Sequence, residues 1–349
     1  MKLTRFLMPV LVLAALVLSS CGGGKKGLPN ISGKPGEMLV IISPKLWEGK
    51  VGTQLRQIMA QPHLALPQDE PVFKLVDVPP KAFKPIFHTT RNIIFVDVAA
   101  KYEKSQVVFQ KDQWANKQAV VRINLTKADD FKELFKQKSD KILSFFLGAE
   151  KKRLMDNYSK YYAKDVDETM KKNHALSIKA APGFRIHKDT TDFVWMSYET
   201  PILSQGIIIS TFKYEDENTF TPEYLVKKYD EVLSANIPGP AKGSYMKTED
   251  LIEPVFQPFK LNNNYAVEMR GLWEVENDFM GGPYVALSVL DPKRNRVVNL
   301  IGYIYAPKKD KRNFVRQVEA MLYSLKFSDQ AINDKLYRQA EIGEKLQKE

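Results

Sequence analysis

Cys21 is the single cysteine in 349 residues, and the segment before it constrains the plan of the whole chain. A basic start at Lys2 and Arg5 leads into an apolar run from residue 6 to 18, and the chain then reads Leu18-Ser19-Ser20-Cys21. Charged, apolar and small-residue segments in that order form the layout of an export signal over residues 1–20. The run is about a dozen residues, short of the roughly 20 that a bilayer-spanning helix needs. A lone cysteine has no disulfide partner, although export would permit one. Stability must therefore come from a buried core. A body of 329 residues (349 less the first 20) is long enough to build one, as about two domains.

A cysteine directly after Leu-Ser-Ser is the bacterial lipobox pattern, which makes Cys21 the lipidated first residue of the mature chain. Membrane lipid, reached through acylated Cys21, is the first partner expected. One acyl chain gives marginal, reversible attachment, whereas two or more give stable anchoring. Gly22-Gly23-Gly24-Lys25-Lys26-Gly27 opens a flexible tether over residues 21–37. No acidic cluster follows the cysteine, which points to outer-membrane attachment facing the periplasm.

The net charge is +11, or +9 once Lys2 and Arg5 leave with the signal. Such a surface could meet anionic headgroups or acidic glycans. Stretch 127–172 favours a plainer reading, because its twelve Lys or Arg are interleaved with nine Asp or Glu, as on a solvated surface. No nucleic-acid-binding motif is present, and the compartment is wrong for that partner.

Periodicity predicts strands at 38–43, 72–78, 92–98, 106–110 and 119–125, with an amphipathic helix at 47–60. Stretch 127–172 has helical spacing throughout, with Gly148 as a candidate break between two helices. Further strands are expected at 183–187, 193–198, 206–214, 251–259, 265–275, 284–290 and 297–305. Thr221-Pro222-Glu223 opens a helix with threonine as N-cap and proline at the first turn. A last amphipathic helix is expected over 313–325. The fold class that follows is α+β. It has two domains, 38–172 and 176–327, with mixed or mainly antiparallel sheets flanked by helices and joined by a long helical segment. Residues 328–349 form a polar tail.

Signatures of chemistry are absent from the sequence. It has no Gly-x-Ser-x-Gly elbow, Walker loop, His-Glu-x-x-His or Cys-x-x-Cys. His63, His88, His174 and His187 are too scattered for zinc-ligand spacing. No metal or organic cofactor is expected.

The lipobox start, Leu66-Pro67-Gln68-Asp69-Glu70-Pro71-Val72-Phe73, Arg91-Asn92-Ile93-Ile94, and Trp114-Ala115 with Gln118 resemble an uncharacterised lipoprotein family of Bacteroidota, a domain of unknown function. The resemblance covers nearly the whole chain and implies no activity. The second half is also similar, in element order alone, to the sheet between helices of PsbP-like and Mog1-like modules. The family resemblance singles out Gln68, Glu70, Arg91 and Asn92 as candidate interaction residues. The competing reading is a polar turn in which Glu70 and Arg91 form an internal ion pair. Trp273, beside Asn277 and the Gly281-Gly282-Pro283 turn, is either an interface anchor or a core tryptophan. The leading function is a non-catalytic envelope binding or assembly module with a protein or glycan partner. The alternative is a hydrolase of envelope glycan or peptide, built on carboxylates that folding brings together.

Overall fold

The computed structural model describes residues 27–328. The segment expected to be an export signal, Cys21 and the tail beyond Ser328 lie outside the described residues.

The architecture is α+β. Its first sheet has the order β2-β1-β3-β5-β4, with strands β1 (Glu37–Ile41), β2 (Lys74–Val78), β3 (Asn92–Val98), β4 (Gln106–Lys111) and β5 (Ala119–Leu125). β2, β1, β3 and β5 pair in parallel, and only β4 runs antiparallel. Central parallel strands are covered on both faces, which explains why Met38-Leu39-Val40-Ile41 is apolar without alternation. Met38 and Val40 face a core that includes Leu55, Phe73, Phe131 and Phe146. Leu39 and Ile41 face the opposite way, toward Phe83, Phe95 and Trp114.

Helices α1 (Pro44–Glu48), α2 (Lys50–Met59) and α3 (Asp130–Tyr158) accompany this sheet. One helix was expected over 47–60; the structure has two, meeting at the extended backbone of Gly49. α3 runs unbroken through Gly148 for 29 residues. Glycine costs a helix about 1 kcal/mol against alanine. Burial of Ile142 and Phe146 before it, and of Glu150 and Arg153 after it, outweighs that cost.

α4 (Lys164–His174) follows, ending at Ala175 in the left-handed region. Its Val166 and Met170 pack into the core of the second sheet, together with Tyr158 and Ala163. That sheet contains β7 (Arg185–Asp189), β8 (Phe193–Thr200), β9 (Leu203–Lys213), β10 (Met246–Thr248), β11 (Val255–Leu261), β12 (Asn264–Val275), β13 (Gly281–Asp291) and β14 (Arg296–Tyr305). The order is β10-β12-β13-β14-β9-β8-β7, with β11 also on β12, and every pairing is antiparallel. A short ribbon joins β6 (Leu176–Ser177) to β15 (Lys326–Phe327).

α5 (Pro222–Asn236) starts at Thr221, whose hydroxyl accepts from the Tyr224 amide, and α6 (Arg312–Leu322) ends the second half. α5 lays Tyr229 and Leu233 on one face of the sheet, against Ile208, Met269 and Ile301. α6 lays Val315, Val318 and Met321 on the other face, against Ile207, Val285 and Leu300. Alternate residues of the same strands therefore serve two cores, the period-2 signature of a sheet covered on both sides.

Candidate functional site

The segment that meets the second half is the loop before β2. Glu70 is buried, and its two carboxylate oxygens accept from the backbone amides of Lys311 and Arg312 at the start of α6. A carboxylate there satisfies N–H groups that have no partner within the helix and complements the helix dipole. Gln68 donates to the Lys309 carbonyl at 3.3 Å and accepts from the Lys311 ammonium at 3.0 Å. Arg316 of α6 donates in return to the Val72 carbonyl at 2.7 Å. This loop therefore fastens one half of the molecule to the other.

The ion pair expected between Glu70 and Arg91 does not form. Glu70 is engaged by backbone amides, while Arg91 binds Glu150 of α3 through Nε at 2.9 Å and Nη2 at 2.8 Å. Asn92 donates to the same carboxylate at 2.7 Å, and Arg153 does so at 2.9 Å. Arg153 also donates to Asn92 Oδ1 and to the Arg91 carbonyl, which ties β3 to α3. All four residues are buried. Burial pushes Arg153 down to about 10, so its guanidinium remains charged at neutral pH. Gln118 is a similar connector: it donates to the His88 and Thr90 carbonyls and accepts from the Trp114 amide. Arg91, Asn92 and Gln118 thus hold the first half together, and Glu150 and Arg153 complete a network that no local pattern announced.

Beside the fastening loop, a cleft of about 610 Å³ opens between α3, α6 and β11–β12. Glu319 accepts from Lys151 and Arg270, each at 2.8 Å, and Glu268 accepts from Arg270 at 2.7 Å and the Tyr323 hydroxyl at 2.6 Å. Burial works to raise Glu319, but Arg270 and Lys151 outweigh it and hold the carboxyl down to about 2. Burial, with Arg316 and Arg270 nearby, pushes His63 at the cleft wall down to about 4.

Trp273 sits elsewhere, on β12. It is buried, donates from Nε1 to the Ile304 carbonyl at 3.2 Å, and meets Tyr303 edge-on at 5.7 Å between centroids. It is the inner wall of a second pocket, of about 320 Å³, which Trp195, Tyr303, Tyr305, Met246 and Met280 also line. Trp195 donates to the Tyr303 hydroxyl at 3.0 Å. The Tyr303 ring lies where any side chain at Gly206 would sit, so glycine is what lets the ring lie flat on β9. The pocket draws on five strands and the segment after α5, which is why Trp273 was its one wall legible in the sequence.

Among the described residues, no group of three or more His, Cys, Asp or Glu is placed to hold a metal ion. None of their helices is long and apolar enough to cross a membrane.

Residues 31–159 match a family model described as a domain of unknown function, DUF8532. Residues 163–324 match a second, DUF4837, also of unknown function. The chain carries two domains of unknown function. No curated protein sequence matches it. Among solved structures it is similar to the Saccharomyces cerevisiae Ran-binding protein Mog1p, at 12% identity and a TM-score of 0.29, over 45% of this chain and 92% of that one. It is also similar to LpqN, involved in cell envelope biogenesis of Mycobacterium tuberculosis, at 13% identity and a TM-score of 0.26, over 42% and 78% of the two chains.

Proposed function

We propose that this chain is an envelope lipoprotein, held at the outer membrane through acylated Cys21 and facing the periplasm, and that it works as a non-catalytic binding module. The observation that carries the binding reading is the aromatic pocket. Trp195, Trp273, Tyr303 and Tyr305 converge on a concave space of about 320 Å³, with Glu199 and Ser204 at its edge. A small, mostly apolar pocket with a few polar groups is the usual form of a ligand site. The half-buried Trp195 and Tyr305 rings offer faces to the C–H side of a sugar ring above the buried Trp273 and Tyr303, and Glu199 and Ser204, bonded to each other at 2.7 Å, offer acceptor oxygens to its hydroxyls. An envelope glycan is the partner that fits this lining.

The hydrolase alternative needs a carboxylic acid whose pKa is raised enough to donate a proton. Glu319 in the cleft is held in the opposite direction, and Glu268 and Glu150 are each bonded to guanidiniums. These carboxylates suit a charge network better than acid catalysis.

Titrating soluble fragments of envelope glycan against tryptophan emission tests the pocket. Saturable quenching is expected, with at least a tenfold loss of affinity in Trp195→Ala. No change in emission at millimolar glycan would remove the reading. For the anchor, Cys21→Ser should abolish lipid labelling and move the protein from the membrane to the soluble envelope fraction. Unchanged labelling and fractionation would defeat it.

A further inference from the structure

The first sheet is covered differently on its two faces. Helices α2 and α3 pack on the face of Met38 and Val40. A parallel sheet ordinarily has helices on both sides, but here Leu39, Ile41, Ile93 and Val120 lie under Phe83 and Phe87 from the loop after β2, Phe95 of β3, and Trp114 from the β4–β5 connection. These rings are half-buried and pack on one another. Phe83 meets Phe95 edge-on at 5.2 Å and stacks with Phe87 at 6.3 Å, His88 stacks on Trp114 at 4.9 Å, and the Arg122 guanidinium lies 4.1 Å over Phe95. The outer surface of this layer is apolar and basic. Ile86, in the short turn Pro85–Phe87, is 79% exposed, and Val76, in register with Leu39 on the same face, is 47% exposed. Residues 78–91 contain no Asp or Glu. Lys81 and Lys84 are exposed, and neither forms an ion pair among the described residues. Apolar surface left wet in this way marks a site of contact.

A second observation concerns where the chain enters. The Ser32 amide donates to the Thr89 carbonyl at 2.7 Å, and the hydroxyls of Ser32 and Thr89 lie 2.8 Å apart. The Asn116 amide donates to the Pro29 carbonyl at 2.7 Å, two residues from Trp114. The first described residues are therefore tied to the loop that carries Ile86, and Leu28 among them is 46% exposed. Cys21 lies six residues before Gly27, which spans at most about 20 Å of extended chain. An acylated Cys21 keeps the bilayer surface within that reach of the aromatic face.

We propose that this face rests on the bilayer that holds Cys21, with Ile86, Val76 and the edge of the Phe83–Phe87 pair at the interface and Lys81 and Lys84 among anionic headgroups. Aromatic rings favour the membrane–water boundary, exposed apolar side chains gain by leaving water there, and nearby lysines add attraction to anionic lipid. A lipid surface is favoured over a protein because the short tether holds it beside this face at a high effective concentration. The opposite face of the sheet, with α3, then points away from the bilayer. This proposal rests on the lipid anchor and is independent of the aromatic pocket.

The test uses the mature lipidated chain in vesicles of phosphatidylethanolamine and phosphatidylglycerol. Acylation blocks Cys21, so one substituted position supplies the only free thiol for an environment-sensitive fluorophore. Ile86→Cys labels the proposed contact, and Lys138→Cys labels an exposed site on α3, across the sheet. Both positions are exposed, so both variants should keep the wild-type circular dichroism spectrum. The label at 86 should emit at shorter wavelength than the label at 138, be quenched by a lipid carrying a nitroxide, and be at least fivefold less accessible to aqueous iodide. Iodide access at 86 equal to that at 138 would overturn the proposal. Shielding from iodide without quenching by the nitroxide lipid would overturn it too, in favour of a protein contact. Mass spectrometry of the vesicle-bound chain reads the anchor separately. Acyl chains on Cys21 with a wet label at 86 defeat the docked face alone, whereas an unmodified Cys21 defeats the anchor reading and this proposal with it.

Discussion

Glu150→Gln removes one negative charge from between two buried guanidiniums and leaves the shape of the side chain almost unchanged. The carboxylate accepts four hydrogen bonds, two from Arg91, one from Asn92 and one from Arg153, at 2.7–2.9 Å. Glutamine offers one acceptor oxygen, and its NH₂ group would face a guanidinium donor. Breaking a buried pair by altering one partner costs about 3–5 kcal/mol, because the remaining charge is left uncompensated. Glu70→Gln disturbs two backbone amides at the start of α6 and should cost about 1 kcal/mol, in the range of a helix cap. A double-mutant cycle separates the two carboxylates. Coupling of Arg91→Met with Glu150→Gln should exceed about 1 kcal/mol, while coupling of Arg91→Met with Glu70→Gln should stay below about 0.5 kcal/mol. Urea unfolding of the Cys21→Ser chain, followed by circular dichroism, gives the required free energies when the slopes of the variants agree. Coupling to Glu70 equal to or larger than coupling to Glu150 would refute the assignment of Arg91 to α3.

Gly148→Ala should raise stability by about 0.5–1 kcal/mol, since alanine favours the helix and its Cβ meets open space; an unchanged or lower thermal midpoint would mean that the position is occupied in solution. Glu319 has a folded pKa near 2, below its ordinary 4.5, so its contribution is fully present above about pH 4.5 and is lost as pH falls toward 2. That contribution is on the order of 3 kcal/mol, and the thermal midpoint of wild type should fall more steeply than that of Glu319→Gln between pH 5 and about pH 2.5. We further expect the two halves to fold as separate units. A fragment 160–327, which keeps Val166 and Met170 in the second core, should unfold at a higher temperature than 176–327, because burying each such side chain contributes about 1.5–3 kcal/mol. Equal melting of the two fragments would show that α4 adds nothing to that core.

Most of the second half was legible because its strands alternate between two cores and α5 carries a local start signal. Thr221-Pro222 marked α5, and Leu225 and Leu233 fall on its buried face as helical spacing requires, with Tyr229 beside them. β3 and β5 of the first sheet were equally plain, as continuous apolar runs. The three-residue β10 escaped because a segment that short has no period to detect. The break expected at Gly148 followed from local propensity alone, and packing on either side of the glycine overrode it.

The candidate residues divide along the same line. The family resemblance picked out Glu70 and Arg91 but could not say with whom they pair, since their partners lie 241 and 59 positions away. Trp273 was visible as a strand tryptophan, while the pocket it walls depends on Trp195, Tyr303 and the glycine at 206, contributed by different strands. Arg316 gave no signal, because an arginine on an amphipathic helix ordinarily lies in water.

The sequence by itself determined the lone cysteine, the α+β class and the inward-facing sides of the longer elements. Each of these is set by residues within a few positions of one another. Tertiary structure decided which charges became neighbours, because ion pairs between distant segments depend on where α3 and α6 come to rest. It also left Arg316 Nη1 without a hydrogen-bond partner among the described residues and left the space beside Gly148 open. A cavity is the space that packing does not fill, so no local run of residues encodes it.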